Sequence, residues 1–251
     1  MNPVNLKKNV FVTGGAGDIG RAIVRRFHGA SFNVAIHCFK SEKDAAALAE
    51  ELCARDPSLI VRVYRADFNS PEETGSMMKK AEDEMGPIDV LVNNAGLGRQ
   101  KLITGTSYED WRETFAVNVD STFLCTKAVL PAMIREKSGK IVNISSIWGI
   151  AGASCEVDYS AAKAAVIGFT KALAKEVGPS GINVNCVAPG VIDTKMNAHL
   201  SELDLEALAG ETPLGRLGTP DEIAEAVFFL CSEKASFITG QVLSPNGGFV
   251  I

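Results

Sequence analysis

Tyr159 and Lys163 stand four residues apart in the alanine-rich run DYSAAKAAVIGFTKALAKEV. Its apolar spacing is helical, so both side chains leave one face of a single helix. An ammonium beside a phenol favours the phenolate and lowers the hydroxyl from its ordinary pKa of about 10 toward neutrality. A phenol so placed can exchange a proton with an alcohol or a carbonyl. Ser146 follows KIVNIS, an apolar run that reads as a buried strand. A hydroxyl at the carboxyl end of such a strand sits where open parallel sheets bind their ligands. Taken alone, a tyrosine and a lysine at helical spacing describe many solvated helix faces. The serine upstream and a glycine-rich turn near the N-terminus turn the pair into a candidate acid/base unit.

That turn lies in NVFVTGGAGDIGRAIVRRF, which runs from an apolar strand through glycines into an amphipathic helix with Ile19, Ile23, Val24 and Phe27 on one side. Gly15, Gly17 and Gly20 satisfy the spacing GxGxxG. Glycines let the backbone approach a pyrophosphate, and amides at a helix N-terminus attract it. The next strand, FNVAIHCF, ends at His37, Cys38, Phe39, Lys40 and Ser41, with no carboxylate before Glu42. A ribose 2'-hydroxyl is usually held by an acid at this point, whereas a 2'-phosphate needs basic or hydroxyl partners. Lys40 and Ser41 therefore favour NADP(H) over NAD(H).

The elements that must position these groups alternate strand and helix about seven times, with no linker and no second composition zone. That order predicts a single-domain Rossmann fold over 1–251, a doubly wound, seven-stranded parallel sheet. The segment SYEDWRETFAVNVDSTFLCTKAVLPAMIREK reads as one long helix or two joined ones. SEKDAAALAEELCARD reads as a helix starting near Ser41 or Glu42, and TPDEIAEAVFFLCSE as one capped by Thr219 with Pro220 at its first position.

The 251 residues are 46% hydrophobic, enough for a large core, and the net charge is −5. Without a basic cluster there is no footprint for nucleic acid. No apolar run approaches the length of a membrane span and no charged-then-apolar leader precedes the first strand, so a cytoplasmic protein is expected. Cys38, Cys53, Cys125, Cys155, Cys186 and Cys231 form no CxxC pair and read as free thiols. His28, His37 and His199 lack ligand spacing, and no metal is expected.

From about Asn9 to the C-terminus the chain resembles the short-chain dehydrogenase/reductase family, whose Ser, Tyr and Lys match Ser146, Tyr159 and Lys163. Thr13, Gly14 and Gly20 align with its pattern TGxxxGxG, but the middle glycine falls on Asp18, which reads as a helix cap. The resemblance implies a cofactor site made of Gly14, Gly15, Gly17, Asp18, Ile19 and Gly20 in the loop, and Lys40 and Ser41 after the second strand. Asp67 would lie beside the adenine, although aspartates also form turns, with Phe68 contributing through its backbone. Asn94, Ala95 and Gly96, in the motif NNAG, would border the ribose. Pro189, Gly190, Ile192 and Thr194 would hold the nicotinamide carboxamide and a phosphate. Asn118 would hold a relay water against Lys163, and 195–217 would form a mobile lid. Relatives are usually tetramers, paired through the long helix and the Tyr-Lys helix.

Overall the pattern looks most like 3-oxoacyl-acyl-carrier-protein reductases, which use NADPH and an acidic carrier protein. Lys137 could serve such a partner, but Ser180 stands where several such reductases have arginine. Trp148, Cys155 and Met196, with Ile150 and Glu156, would line or border the substrate pocket beside Ser146. An indole, aliphatic and sulfur lining also suits a bulky apolar ketone or alcohol such as a steroid. Glu156 and Asp158 give the entrance an acidic character. A dinucleotide-binding regulator without chemistry is the remaining class, and the presence of Asn118, Ser146, Tyr159 and Lys163 argues against it.

Overall fold

The computed structural model describes residues 7–197 and 200–251. His199 and positions 1–6 of the expected domain lie outside the described residues. The strands β1 (Asn9–Val12), β2 (Asn33–Cys38), β3 (Val61–Arg65), β4 (Val90–Asn93), β5 (Gly139–Ile144), β6 (Ile182–Val187) and β7 (Val242–Leu243) form one sheet. Its order is β3-β2-β1-β4-β5-β6-β7, and every neighbouring pair is parallel. The chain winds outward from β1 to β3, then returns to place β4 on the other side of β1. This reversal opens a crevice at the carboxyl ends of β1 and β4, the place where such sheets take ligands.

The helices are α1 (Asp18–His28), α2 (Glu42–Arg55), α3 (Pro71–Met85), α4 (Tyr108–Phe115), α5 (Ser121–Glu136), the single turn α6 (Trp148–Ala151), α7 (Val157–Val177), α8 (Glu202–Glu211) and α9 (Pro220–Cys231). Every residue of β1, β2 and β4 is buried, as expected of strands covered on both faces. On one face Val10, Val12, Ile36 and Val92 pack with Ile23 and Phe27 of α1, Leu52 of α2 and Ile223 and Leu230 of α9. On the other, Phe11, Leu91 and Ile141 pack with Met77 of α3, Met133 of α5 and Leu173 of α7.

Helix starts follow the local signals. Thr219 accepts from the Glu222 amide while Glu222 returns to the Thr219 amide, and Pro220 sits in the first turn, a reciprocal cap. Ser41 takes the cap position of α2 without a side-chain hydrogen bond, so the helix begins at Glu42. The segment expected as one or two helices is α4 and α5 joined by a π-helical turn, Ala116–Asp120, which contains Asn118. The extra residue of a π turn displaces the ladder and turns a side chain toward a site.

A row of buried polar side chains crosses the sheet beneath the site. The Asn93 amide donates to Thr126 Oγ1 at 3.1 Å and Asn143 Oδ1 at 2.8 Å, and Asn143 donates to Thr170 Oγ1 at 2.9 Å. Pairing of this kind fixes register, because slippage would strand buried amides.

Candidate active site

The glycine loop is held from behind. Gly14 N donates to His37 Nδ1 at 3.0 Å, and the other ring nitrogen bonds Ala66 O at 3.1 Å. Burial pushes the imidazole down to about 4, so it is neutral and locks β1, β2 and the segment after β3 together. Asn94 donates to Thr13 O at 2.9 Å and Gly14 O at 3.1 Å, and the Thr13 hydroxyl accepts from the Asn94 and Ala95 amides at 2.9 Å each. A Cβ on Gly20 would stand 2.2 Å from Gly14 O, so only glycine lets α1 close on the loop. Gly15 and Gly17 lie in the same turn, and Ile19 packs inward against the core.

Asp18 differs from the expected cap. Gly17 holds the N-cap position of α1 with no side-chain cap bond, and Asp18 Oδ2 instead accepts from the backbone N–H of Lys195 at 2.7 Å.

Three elements bring the acid/base groups together. Ser146 lies just past β5, Tyr159 and Lys163 lie on α7, Asn118 lies in the π turn, and all four are buried. Lys163 Nζ sits 5.6 Å from the Tyr159 ring centre and donates to Ile144 O at 2.9 Å. The Asn118 amide donates to Leu97 O and Thr114 O, each at 2.8 Å, and Asn118 Oδ1 accepts from Leu97 N at 3.3 Å. The side chain thereby ties the loop after β4 to the π turn. A Cβ on Gly96 would lie 3.1 Å from Asn118 Oδ1 and 3.2 Å from Lys163 Nζ, and one on Gly98 would lie 3.3 Å from the Tyr159 ring. The loop from Asn94 to Gly98 therefore lies across both residues.

Protonation departs from the expectation of a phenol tuned to neutrality. Burial pushes Tyr159 up to about 12, opposed by the Ser146 hydroxyl and reinforced by Glu156. Burial also pushes Lys163 down to about 8, opposed by Cys186. The ammonium is itself desolvated and engaged with a backbone carbonyl, and desolvation outweighs pairing for both groups. At neutral pH Tyr159 thus holds its proton as a donor, and Lys163 titrates close to physiological pH.

The other expected positions fall as follows. Lys40 and Ser41 are exposed beyond β2, with the ammonium of Lys40 5.6 Å from the centre of the Phe39 ring. The guanidinium of Arg65 lies 5.4 Å from the same ring. Sequence reading missed this second cation; the signal is strand pairing, which sets Arg65 opposite Cys38. Asp67 makes a turn, accepting from Asn69 N at 3.0 Å and Asn69 Nδ2 at 2.9 Å, and Phe68 is buried against His37 with ring centres 4.2 Å apart.

Pro189 and Gly190 follow β6, and Gly190 lies so close to Asn246 that a Cβ would come within 2.7 Å of its Cα. Ile192 is buried, and Thr194 Oγ1 donates to Ile192 O at 3.3 Å. Trp148 is half-buried with its edge on Phe249. Cys155 adopts a left-handed φ of 63°, and its carbonyl accepts from Lys101 N at 2.7 Å. Met196 is exposed in the turn Lys195–Asn197. Asp158 is not an entrance charge: it is buried and accepts from Thr114 Oγ1 at 2.7 Å, because its position at the start of α7 turns it toward α4. Within 195–217, the segment expected as a lid, α8 buries none of its residues.

A doubly wound sheet with a helix-capped glycine turn at its crevice, and Ser, Tyr and Lys converging beside it, defines a dinucleotide-dependent oxidoreductase. The family described as Enoyl-(Acyl carrier protein) reductase matches residues 14–250. The 3-oxoacyl-acyl-carrier-protein reductase FabG of Chlamydia muridarum (strain MoPn / Nigg) is 45% identical, covering 99% of both chains. A hydroxy(phenyl)methylsuccinyl-CoA dehydrogenase subunit, BbsD of Thauera aromatica, is 42% identical over 94% of both. A crystal structure of a short-chain dehydrogenase/reductase from Brucella melitensis superposes with a TM-score of 0.90 at 34% identity, covering 97% of each chain. The chain belongs to the short-chain dehydrogenase/reductase family, enzymes that act on CH–OH groups and imply a nicotinamide cofactor. The residues fit such a group: the glycine turn can meet a pyrophosphate, and the lack of a side chain at Gly96 lets Lys163 Nζ approach the loop after β4.

Proposed function

We propose that this chain is an NADP(H)-dependent reductase of 3-oxoacyl thioesters, interconverting a ketone and a secondary alcohol. The observation that carries this reading is the burial of Ser146, Tyr159 and Lys163 together beside the crevice. When bound, the nicotinamide supplies or accepts hydride. Ser146 hydrogen-bonds the substrate oxygen and Tyr159 Oη delivers its proton to it. Lys163 holds the ribose and favours the phenolate left behind, and Asn118 keeps the relay beside Lys163 in place. Lys40 and Arg65, both beside the Phe39 ring, support the 2'-phosphate. Segment 195–217 is read as the lid, with Met196 at its root, and Trp148 and Cys155 are read as substrate contacts.

Similarity to the reductase named above supports a thioester substrate. A carrier protein is a weaker partner than a small thioester: Lys137 stands beside the Ser180–Gly181 turn, so close that a Cβ on Gly181 would reach its carbonyl at 2.5 Å, but Ser180 adds no charge to meet an acidic protein. The Trp148 and Phe249 rings, 5.8 Å apart, favour a second reading, a bulky apolar ketone such as a steroid. Six free thiols support a reducing, cytoplasmic setting. Exposed Phe123 and Ile134 on α5 and Val157 on α7 support a homotetramer paired through those helices.

The test is NADPH and NADH oxidation, followed by absorbance, against acetoacetyl thioesters on coenzyme A and on carrier protein, keto-steroids and diketones. Turnover of thioesters with NADPH is expected. Turnover of steroids alone would replace the thioester reading, and no turnover of any ketone would remove the reductase.

A further inference from the structure

One hydrogen bond joins the glycine loop to the root of segment 195–217. Asp18 Oδ2 accepts from Lys195 N at 2.7 Å across 177 residues of chain. Asp18 occupies the position that the family pattern gives to glycine, and a glycine has no atom to make this bond.

On the other side, the segment is anchored at its base. Ile192 bridges Gly218, Asp193 N donates to Gly218 O at 2.9 Å, and Gly218 N donates to Val191 O at 3.0 Å. The Asn197 amide donates back to Ile192 O at 2.8 Å. Beyond this base α8 buries no residue, and Leu203 and Leu214 are 76% and 68% exposed. The segment packs again near its end, where Thr212 is buried and Leu214 N donates to Gly247 O at 3.1 Å, so α8 is held from either side of itself and a bond at Lys195 acts on one of those two anchors.

The carboxylate of Asp18 also lies in the first turn of α1, whose partial positive charge and free amides are what would attract a pyrophosphate. Phosphate oxygens and Asp18 are both anionic and both draw on that one helix end. We propose that Asp18 is a latch between glycine loop and lid root, which orders the lid at the expense of dinucleotide affinity. The cofactor half rests on the dinucleotide reading above; the latch itself does not. Linkage is reciprocal: if phosphates weaken the Asp18–Lys195 bond, loss of that bond must strengthen phosphate binding by the same factor.

The experiment compares the full chain with Asp18→Asn and Asp18→Gly, each first checked for unchanged thermal unfolding. Without nucleotide, hydrogen exchange at the Lys195 amide and through 202–211 is expected to quicken roughly tenfold in Asp18→Gly. It should stay near the parent rate in Asp18→Asn, which keeps an acceptor oxygen. NADPH titrated calorimetrically is expected to bind about fivefold or more tightly to both variants, within the usual range of coupling. Equal exchange in the parent and Asp18→Gly would overturn the latch. Faster exchange with unchanged or weaker NADPH binding would overturn the trade. If the parent binds neither NADPH nor NADH, the dinucleotide reading fails and the trade with it, while the exchange comparison still decides the latch.

Discussion

At the scale of single residues, the site depends on where protons reside. Tyr159 is pushed up to about 12 and Lys163 down to about 8 by burial, so the proposed reduction has a protonated phenol to draw on. Tyr159→Phe is expected to retain dinucleotide binding and lose about 10²–10⁴ in turnover, the usual contribution of general acid catalysis; titration and steady-state kinetics on one preparation check both halves. Reduction should persist through neutral pH and decline above about 8 as Lys163 loses its charge, whereas alcohol oxidation should rise with pH. A pH profile flat across that range in both directions would contradict the assignment. Arg65 offers a further test. Arg65→Ala should lower the preference for NADPH over NADH about tenfold, as loss of one charged phosphate contact does, measured as a ratio of kcat/KM values.

At the scale of elements, His37 and Gly20 hold the glycine loop to the sheet. The unfolded chain protonates His37 below 6.5, but the native imidazole accepts a proton only near 4. Between those values the unfolded state binds more protons, so stability is full above 6.5 and is lost as pH falls toward 4, by about 3 kcal/mol. Urea unfolding at pH 7 and pH 5 should show the loss, and His37→Gln should reduce it. Gly20→Ala should cost ~3 kcal/mol through overpacking, since its Cβ would meet Gly14 O at 2.2 Å. The placement of Tyr159 with Lys163, and of the glycine turn before α1, was legible because each is a local pattern of spacing. Arg65 beside Phe39, the burial of Asp158 against Thr114 and the reach of Asp18 to Lys195 were not. Each depends on contacts between distant segments that no local period encodes. The joint of α4 and α5 was half legible: Asn118 disfavours a regular helix interior, yet nothing local specifies a π turn.

At the scale of the whole molecule, the parallel order β3-β2-β1-β4-β5-β6-β7 follows from strand and helix alternation and positions every group described above. The exposed apolar side chains of α5 and α7 support assembly, and Phe123→Asp should reduce the mass seen by light scattering below that of a tetramer while leaving the far-ultraviolet spectrum unchanged. An unaltered mass would argue that those helices are not the contact. The bridge between Ile192 and Gly218 has a consequence for how such an enzyme diversifies. The chain departs and re-enters at the same spot, so everything between is a cassette whose exchange disturbs no strand. A transplant of 195–217 from a relative with another substrate should swap selectivity while the scaffold melts at its original temperature.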